Sequence, residues 1–248
     1  MPMPMPTPLH QNPNQTTSMF SVRSHLRRFR PIEQSLRRYS ANAAAALATT
    51  EVIYPDPPSQ NHGDLPSFLD YAARVGMDTQ STTFVGTHYE YTVQNALKNL
   101  GMSLMRTGGR SDAGIDLLGT WRLPTTPHPL KVLIQCKAFA NSVKPAQARE
   151  LEGAFVGAPQ GWRGEKGIIA LLVSQRSATK GVREAMGRSR WPMGYVLCGP
   201  DGKILQMLWN RRTEQEGLLG IGVEFKYGGG DRNDKEVVLT WKGEVIGK

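Results

Sequence analysis

The sequence of 248 residues has no run of 18 or more apolar residues and contains only two cysteines, Cys136 and Cys198. A membrane-spanning helix needs about 20 consecutive apolar residues, so none is predicted. Both cysteines lie in apolar segments, where a free thiol behaves as a small buried side chain, and a disulfide framework is not indicated. The five histidines lack metal-ligand spacing, which argues against zinc. These absences fit a protein of a reducing compartment.

The first 50 residues are almost free of acids, with six arginines, no lysine and a single acid, Glu33. A segment that is rich in arginine and poor in acids is typical of an organelle transit peptide. Helical spacing over residues 20–30 predicts a basic amphipathic helix, and Arg37 and Arg38 resemble a mitochondrial processing site. We therefore predict a cleaved transit peptide over residues 1–40 and a location in the mitochondrial matrix. A basic disordered arm that binds nucleic acid or anionic lipid is the alternative.

Proline, glycine and asparagine are frequent between residues 41 and 82, which predicts a flexible linker. The folded domain is predicted over residues 83–248. A helix capped by Thr87 and ended by Gly101 begins it, and three strands, a helix, a strand, a second helix and two late strands follow. This order indicates an α/β fold in which a mixed central sheet is flanked by helices on both faces.

Three polar residues on neighbouring predicted strands form the candidate site. Asp116 lies near the start of the second strand, and Gln135 and Lys137 lie in the segment VLIQCKAF, where alternation places them on one face. Because strands joined by a hairpin are about 5 Å apart, these side chains can converge on one ion. Carboxylate and amide oxygens suit Mg²⁺ or Mn²⁺, and a nearby lysine would stabilise charge on a phosphate oxygen. The combination predicts hydrolysis of a phosphodiester, although each residue alone is more often an ordinary strand or hairpin residue.

The segments GGRSDAGIDLLG, VLIQCKAF and VKPAQARELEGAF resemble the Mrr-like branch of the restriction-endonuclease superfamily, whose motif is PD-(D/E)XK. The resemblance implies a restriction-endonuclease-like core with an extension of late strands at its C-terminus. It implies that Asp116 and Gln135 are metal ligands and catalytic residues, that Gln135 replaces the second acid of the motif, and that Lys137 is the catalytic lysine. With its leader included, the chain also resembles the fungal mitochondrial family called required for respiratory growth protein 7, a name that describes a phenotype.

The same resemblance implies roles for residues outside the strands. Glu90, on the first predicted helix, resembles an acid that this branch contributes to catalysis and to the metal ion, although a glutamate on an amphipathic helix is by default a solvated residue. Gln147 resembles a polar residue that faces the site. It is predicted, with Arg110 and Lys144, to contact nucleic acid.

These observations together predict a mitochondrial nuclease that depends on Mg²⁺ or Mn²⁺, acts on DNA, and is needed for respiratory growth or for maintenance of the mitochondrial genome. RNA is the second substrate class, and cutting of two strands would suit a homodimer. One alternative is a factor that keeps the nuclease fold and binds nucleic acid, or assists assembly, without turnover. Another is a protein-interaction partner of the mitochondrial translation or respiratory apparatus. Of the net charge of +9, the first 50 residues carry +5 and the remainder +4, and this mildly basic remainder permits a nucleic-acid partner without demanding one.

Overall fold

The computed structural model of the chain describes residues 53–107, 114–138, 141–164, 166–228 and 235–247. These residues belong to one compact unit, Val52–Lys248. The predicted transit peptide over residues 1–40 and the predicted nucleic-acid contact Arg110 lie outside the described residues.

A helix, α1 (Leu65–Arg74), lies inside the segment that the sequence analysis assigned to a linker. The Asp64 side chain caps it by accepting a hydrogen bond from the Ser67 N–H at 2.9 Å, and a proline follows in the first turn. Phe68 and Ala72 are buried on its inner face. The prediction of a flexible linker over residues 41–82 is therefore wrong for α1. Aspartate followed by proline is a helix-start signal, which was hidden in a segment that otherwise reads as a loop.

The next helix, α2 (Thr82–Lys98), is longer than predicted. Its N-cap is Ser81, whose hydroxyl accepts a hydrogen bond from the Phe84 N–H at 3.2 Å. The predicted N-cap, Thr87, is instead a buried residue inside the helix. The extra turns matter for function, because they bring the start of α2 to the candidate site described below.

A sheet of six strands in the order β1-β2-β3-β4-β5-β6 forms the centre of the unit. Its strands are antiparallel from β1 to β3, parallel from β3 to β5, and antiparallel again between β5 and β6. Helices α3 (Pro145–Gly157) and α4 (Lys180–Arg188) form the two crossovers between the parallel strands. The strands are β1 (Met102–Arg106), β2 (Leu117–Trp121), β3 (Leu130–Lys137), β4 (Ile168–Ser174), β5 (Met193–Cys198) and β6 (Ile204–Trp209).

The sheet is covered on both faces, which confirms the predicted mixed α/β architecture. On one face, α2 packs on strand residues that include Val132 and Ile134. On the other face, α3 and α4 pack on residues that include Leu133. All seven residues of β4 are buried, as expected of a parallel strand covered on both sides.

After β6, a short helix α5 (Arg211–Thr213) and a π-helical turn (Glu214–Leu218) lead to a second sheet. This sheet is antiparallel, and its order is β7-β8-β9. Val237 and Leu239 of its middle strand join the core on the α2 side of the large sheet. The strands are β7 (Ile221–Tyr227), β8 (Lys235–Trp241) and β9 (Glu244–Ile246). Among the described helices, none combines the length and apolar character needed to cross a membrane.

Candidate active site

A cavity of about 430 Å³ opens where α2 meets the start of β2 and the end of β3. Four residues predicted for the site line it: Glu90 on α2, Asp116 directly before β2, and Gln135 and Lys137 on β3. The fold therefore brings these four predicted side chains to one place.

Asp116 is held by the pairing of β2 with β3. Its N–H donates to the Ile134 carbonyl oxygen at 2.8 Å, which extends the strand pairing beyond the first residue of β2. The Cys136 N–H donates to the Asp116 carboxylate at Oδ2, at a distance of 2.6 Å. A backbone N–H that donates to a carboxylate forms a strong, charge-assisted bond. The register of the two strands thus fixes the orientation of this carboxylate in the cavity.

Gln135 is a buried polar side chain with an unmet hydrogen-bonding requirement. It is 5% exposed, and among the described residues its Oε1 has no hydrogen-bond partner. A buried polar atom without a partner costs about 1–3 kcal/mol in folding free energy. An amide oxygen is a good ligand for a hard cation, so a bound ion would satisfy this atom.

Gly114, in the turn before Asp116, makes room for the Gln135 amide. Its φ angle is 76°, a backbone conformation that residues other than glycine rarely adopt. A Cβ atom at this position would lie 2.7 Å from Gln135 Nε2. This contact was not predicted from the sequence. A glycine two residues before a candidate ligand was the available signal.

Lys137 reaches from the end of β3 towards α3. Its Nζ lies 3.9 Å from Oε2 of Glu150, a half-exposed residue of α3. Ile134 and Cys136 belong to the α2 side of the sheet, as the predicted alternation of faces requires. Burial raises the pKa of the Cys136 thiol well above its ordinary value, and the charges of Asp116 and Glu90 raise it further. The thiol therefore stays protonated and is not a candidate nucleophile.

Glu90 forms an ion pair with Arg106, the last residue of β1. The Arg106 Nε donates to Oε2 of Glu90 at 2.5 Å, and both side chains are largely buried. The guanidinium also lies 5.7 Å from the ring centroid of Tyr91. Arg106 was not among the site residues predicted from the sequence. Its position opposite Leu117, the residue after Asp116, could have been found from the register of the β1–β2 hairpin.

Two predicted nucleic-acid contacts, Lys144 and Gln147, lie at the start of α3 and do not line the cavity. The Gln147 Oε1 accepts a hydrogen bond from the Lys144 N–H at 2.6 Å, so this side chain caps the helix. Lys144 is exposed. The sequence predicted that Gln147 faces the site, whereas this capping bond was not predicted.

The donors in the cavity fit a hard cation that keeps several waters. Within the described residues, no group of three or more His, Cys, Asp and Glu side chains is placed to hold a metal ion. The cavity provides the carboxylates of Glu90 and Asp116 and the amide oxygen of Gln135. Mg²⁺ is commonly bound by one or two carboxylates together with water, whereas zinc prefers histidine and cysteine. The donor set therefore fits Mg²⁺ or Mn²⁺ better than zinc.

Comparison with known proteins identifies relatives of this chain. A family model described as "Required for respiratory growth protein 7" matches residues 81–128 and 123–225. A mitochondrial protein of Schizosaccharomyces pombe, C824.03c, is 32% identical over 159 residues, which are 62% of each chain. The "Required for respiratory growth protein 7, mitochondrial" of Vanderwaltozyma polyspora is 32% identical over 220 residues, covering 67% of this chain and 86% of that protein.

A search of solved structures finds the restriction endonuclease FokI with a TM-score of 0.32 and 14% sequence identity. The match covers 52% of this chain and 24% of that enzyme.

Proposed function

The chain belongs to the required for respiratory growth protein 7 family, and on this premise we propose that it is a mitochondrial nuclease that hydrolyses phosphodiester bonds of DNA. The names of its relatives support a role in mitochondria and in respiratory growth. The net charge of +4 carried by the residues after position 50 is compatible with a nucleic-acid substrate. The matrix, where mitochondrial DNA is found, is the compartment in which such an activity would be used.

One observation carries the proposal: within the part of the chain that the structure describes, the buried amide oxygen Gln135 Oε1 has no hydrogen-bond partner, and it lies in the same cavity as Asp116 and Lys137. Asp116 and Gln135 would hold Mg²⁺ or Mn²⁺, and Glu90 would complete the acidic side of the site. When bound, the ion would supply Lewis-acid stabilisation of the phosphate and would activate a water molecule.

The residues of the chain would divide the remaining work. Lys137 would place a positive charge beside the phosphate oxygen on which charge develops, and Glu150 would restrict the position of its ammonium group. Arg106 would hold the Glu90 carboxylate in one orientation through their ion pair. Asp116 would keep its orientation through the bond from the Cys136 N–H. The Asp116 and Glu90 carboxylates would thus be oriented before substrate binds, which is what electrostatic catalysis requires.

The order of the elements also supports a restriction-endonuclease-like core. A helix precedes three antiparallel strands, and the candidate ligands lie on the second and third of them. A crossover helix then leads to a parallel strand beside β3. Lys144 and Gln147 at the start of α3 would contact the nucleic-acid backbone beside the site.

The test is cleavage of plasmid DNA and of single-stranded RNA by the full chain in Mg²⁺, in Mn²⁺ and in EDTA. We expect metal-dependent cutting of DNA that is lost in Asp116→Asn and in Lys137→Ala. Lys180→Ala is the matched control, since Lys180 lies on the exposed side of α4. Cutting by Asp116→Asn at the rate of the parent protein would refute the proposal. Cutting of RNA alone would move the proposed substrate from DNA to RNA.

A factor that keeps this fold and binds nucleic acid without turnover is the second candidate. The ion pair between Glu90 and Arg106 favours it, because a carboxylate already neutralised by an arginine attracts a metal ion less strongly. Binding by such a factor would be sensitive to salt and indifferent to Mg²⁺, since phosphate contacts alone would supply it. Binding of DNA that is equal in Mg²⁺ and EDTA, without any cutting, would select this candidate.

A further inference from the structure

The strand β7 forms one edge of the C-terminal sheet. It pairs with β8 along its whole length, and in the part of the chain that the structure describes no strand pairs with its other edge. All five residues from Val223 to Tyr227 are exposed. An open strand edge presents unpaired N–H and C=O groups and is a template for pairing with another chain.

One face of the edge strand β7 continues the buried face of its neighbour β8. Val223 lies opposite Leu239, and Phe225 lies opposite Val237, so these side chains share a face. Leu239 and Val237 are buried in the core, whereas Val223, Phe225 and Tyr227 are between 37% and 59% exposed. The apolar surface thus extends from β8 onto the edge strand β7, where it is exposed to solvent.

The other face of β7 carries charges of opposite sign two residues apart. Glu224 and Lys226 are exposed there. Lys226 lies opposite Glu236 of β8, so the signs already alternate across the hairpin. A strand added beside β7 would continue this alternation if it placed an acid next to Lys226.

We propose that β7 pairs with β7 of a second copy of this chain, antiparallel and related by a two-fold axis at Phe225. In this register the residue before Phe225 faces the residue after Phe225 of the other copy. Glu224 then faces Lys226 of the second copy, and the two-fold axis generates the same pair again. Val223 faces Tyr227 on the apolar side, and the two Phe225 side chains meet at the axis.

The charges select both this register and this occupant. An axis moved by one residue to Glu224, or to Lys226, would place two like charges directly opposite each other, which is destabilising. An axis at Phe225 pairs both charges with their opposites and joins the two apolar stripes into one. The strand is therefore complementary to itself, which is the property that a two-fold interface requires. The two small sheets become one sheet of six strands.

The pairing does not depend on the proposed chemistry, because the β7 residues lie outside the cavity that contains Asp116. Analytical ultracentrifugation of the full chain over a concentration series tests it. We expect the parent protein to form a reversible dimer, and Glu224→Lys and Lys226→Glu each to remain monomeric. An equimolar mixture of these two variants should form a heterodimer, because each Lys of one then faces a Glu of the other. Glu184→Lys and Lys180→Glu, which alter an exposed pair on α4, are matched controls that should dimerise like the parent.

Urea unfolding must show that each variant is folded, since Glu224 also accepts a hydrogen bond from Thr240 at 2.9 Å. The double variant Glu224→Lys/Lys226→Glu restores both cross-copy pairs, so it should dimerise again. A parent protein that stays monomeric throughout the series would overturn the proposal. So would folded single variants that dimerise as the parent does, or a mixture of them that stays monomeric. None of these outcomes bears on cutting of DNA, which is measured separately.

Discussion

Replacing Gln135 with methionine separates a metal-binding role of this residue from a packing role. Gln135 is 5% exposed, and within the described residues its Oε1 has no partner, so the folded protein carries a desolvation cost of about 1–3 kcal/mol. Methionine has a similar length and volume and no amide to desolvate. In EDTA we therefore expect Gln135→Met to unfold with a free energy within about 1 kcal/mol of the parent value, or above it.

The same substitution should abolish the stabilisation of the protein by Mg²⁺. A ligand that binds only the folded state stabilises it by about 1.4 kcal/mol when its concentration is ten times its Kd. In a domain of this size, that corresponds to a rise in Tm of about 3–6 °C. We expect Mg²⁺ to raise the Tm of the parent protein by this amount and to leave the Tm of Gln135→Met unchanged. Thermal unfolding followed by circular dichroism, in Mg²⁺ and in EDTA, measures both effects.

Gln147 provides the matched control. Its amide caps α3 at the protein surface, so Gln147→Met should lose about 0.5–2 kcal/mol of stability and keep the full response to Mg²⁺. Two results would contradict this role of the Gln135 amide. A loss of more than about 2 kcal/mol by Gln135→Met in EDTA would show that the amide makes stabilising bonds in the absence of metal. A Tm that rises with Mg²⁺ as in the parent would show that the amide oxygen is not a ligand.

Three further substitutions test the groups around the cavity. Arg106→Ala should lower the free energy of unfolding by about 1.5–3 kcal/mol, because it removes a charge-assisted hydrogen bond between two largely buried side chains; urea unfolding measures this, and a loss below about 1 kcal/mol would contradict it. Gly114→Ala should cost about 1–3 kcal/mol through its positive φ and should also slow cutting, since the new Cβ displaces the neighbouring amide; unchanged stability and rate would argue against this contact. Lys137→Ala should change stability by less than about 1 kcal/mol, because its contact with half-exposed Glu150 is 3.9 Å long. The same change should slow cutting by about 100-fold to 1,000-fold, and a rate within a few-fold of the parent would count against its role.

The six strands of the large sheet could be predicted because their patterns are local, whereas the three strands of the second sheet were not predicted. The uniformly apolar segment of β4 and the alternation along β3 determine their burial without information from distant residues. The helix α1 was missed because its start signal, Asp64 followed by proline, lies among residues that also favour loops. The cap of α2 was placed at Thr87 rather than Ser81, since both residues have hydroxyl groups that can accept the capping bond.

The candidate site could be predicted only where strand periodicity determines it. Alternation and a hairpin suffice to bring Asp116, Gln135 and Lys137 together. Arg106 depends on the register of a different hairpin, and the close approach of Gly114 depends on a backbone angle that a sequence pattern does not specify. The lack of a hydrogen-bond partner for Gln135 Oε1 among the described residues is a property of the three-dimensional surroundings.

Titration of the full chain with Mn²⁺, followed by the electron paramagnetic resonance signal of the free ion, shows whether the cavity around Asp116 and Gln135 holds a metal ion. We expect the parent protein and Lys137→Ala each to bind a single Mn²⁺ per chain, and Asp116→Asn to lose this site. Since Lys137→Ala should keep the ion and lose cutting, the two variants distinguish holding the metal from using it. Failure of the parent protein to bind Mn²⁺, or undiminished binding by Asp116→Asn, would contradict the proposed metal site.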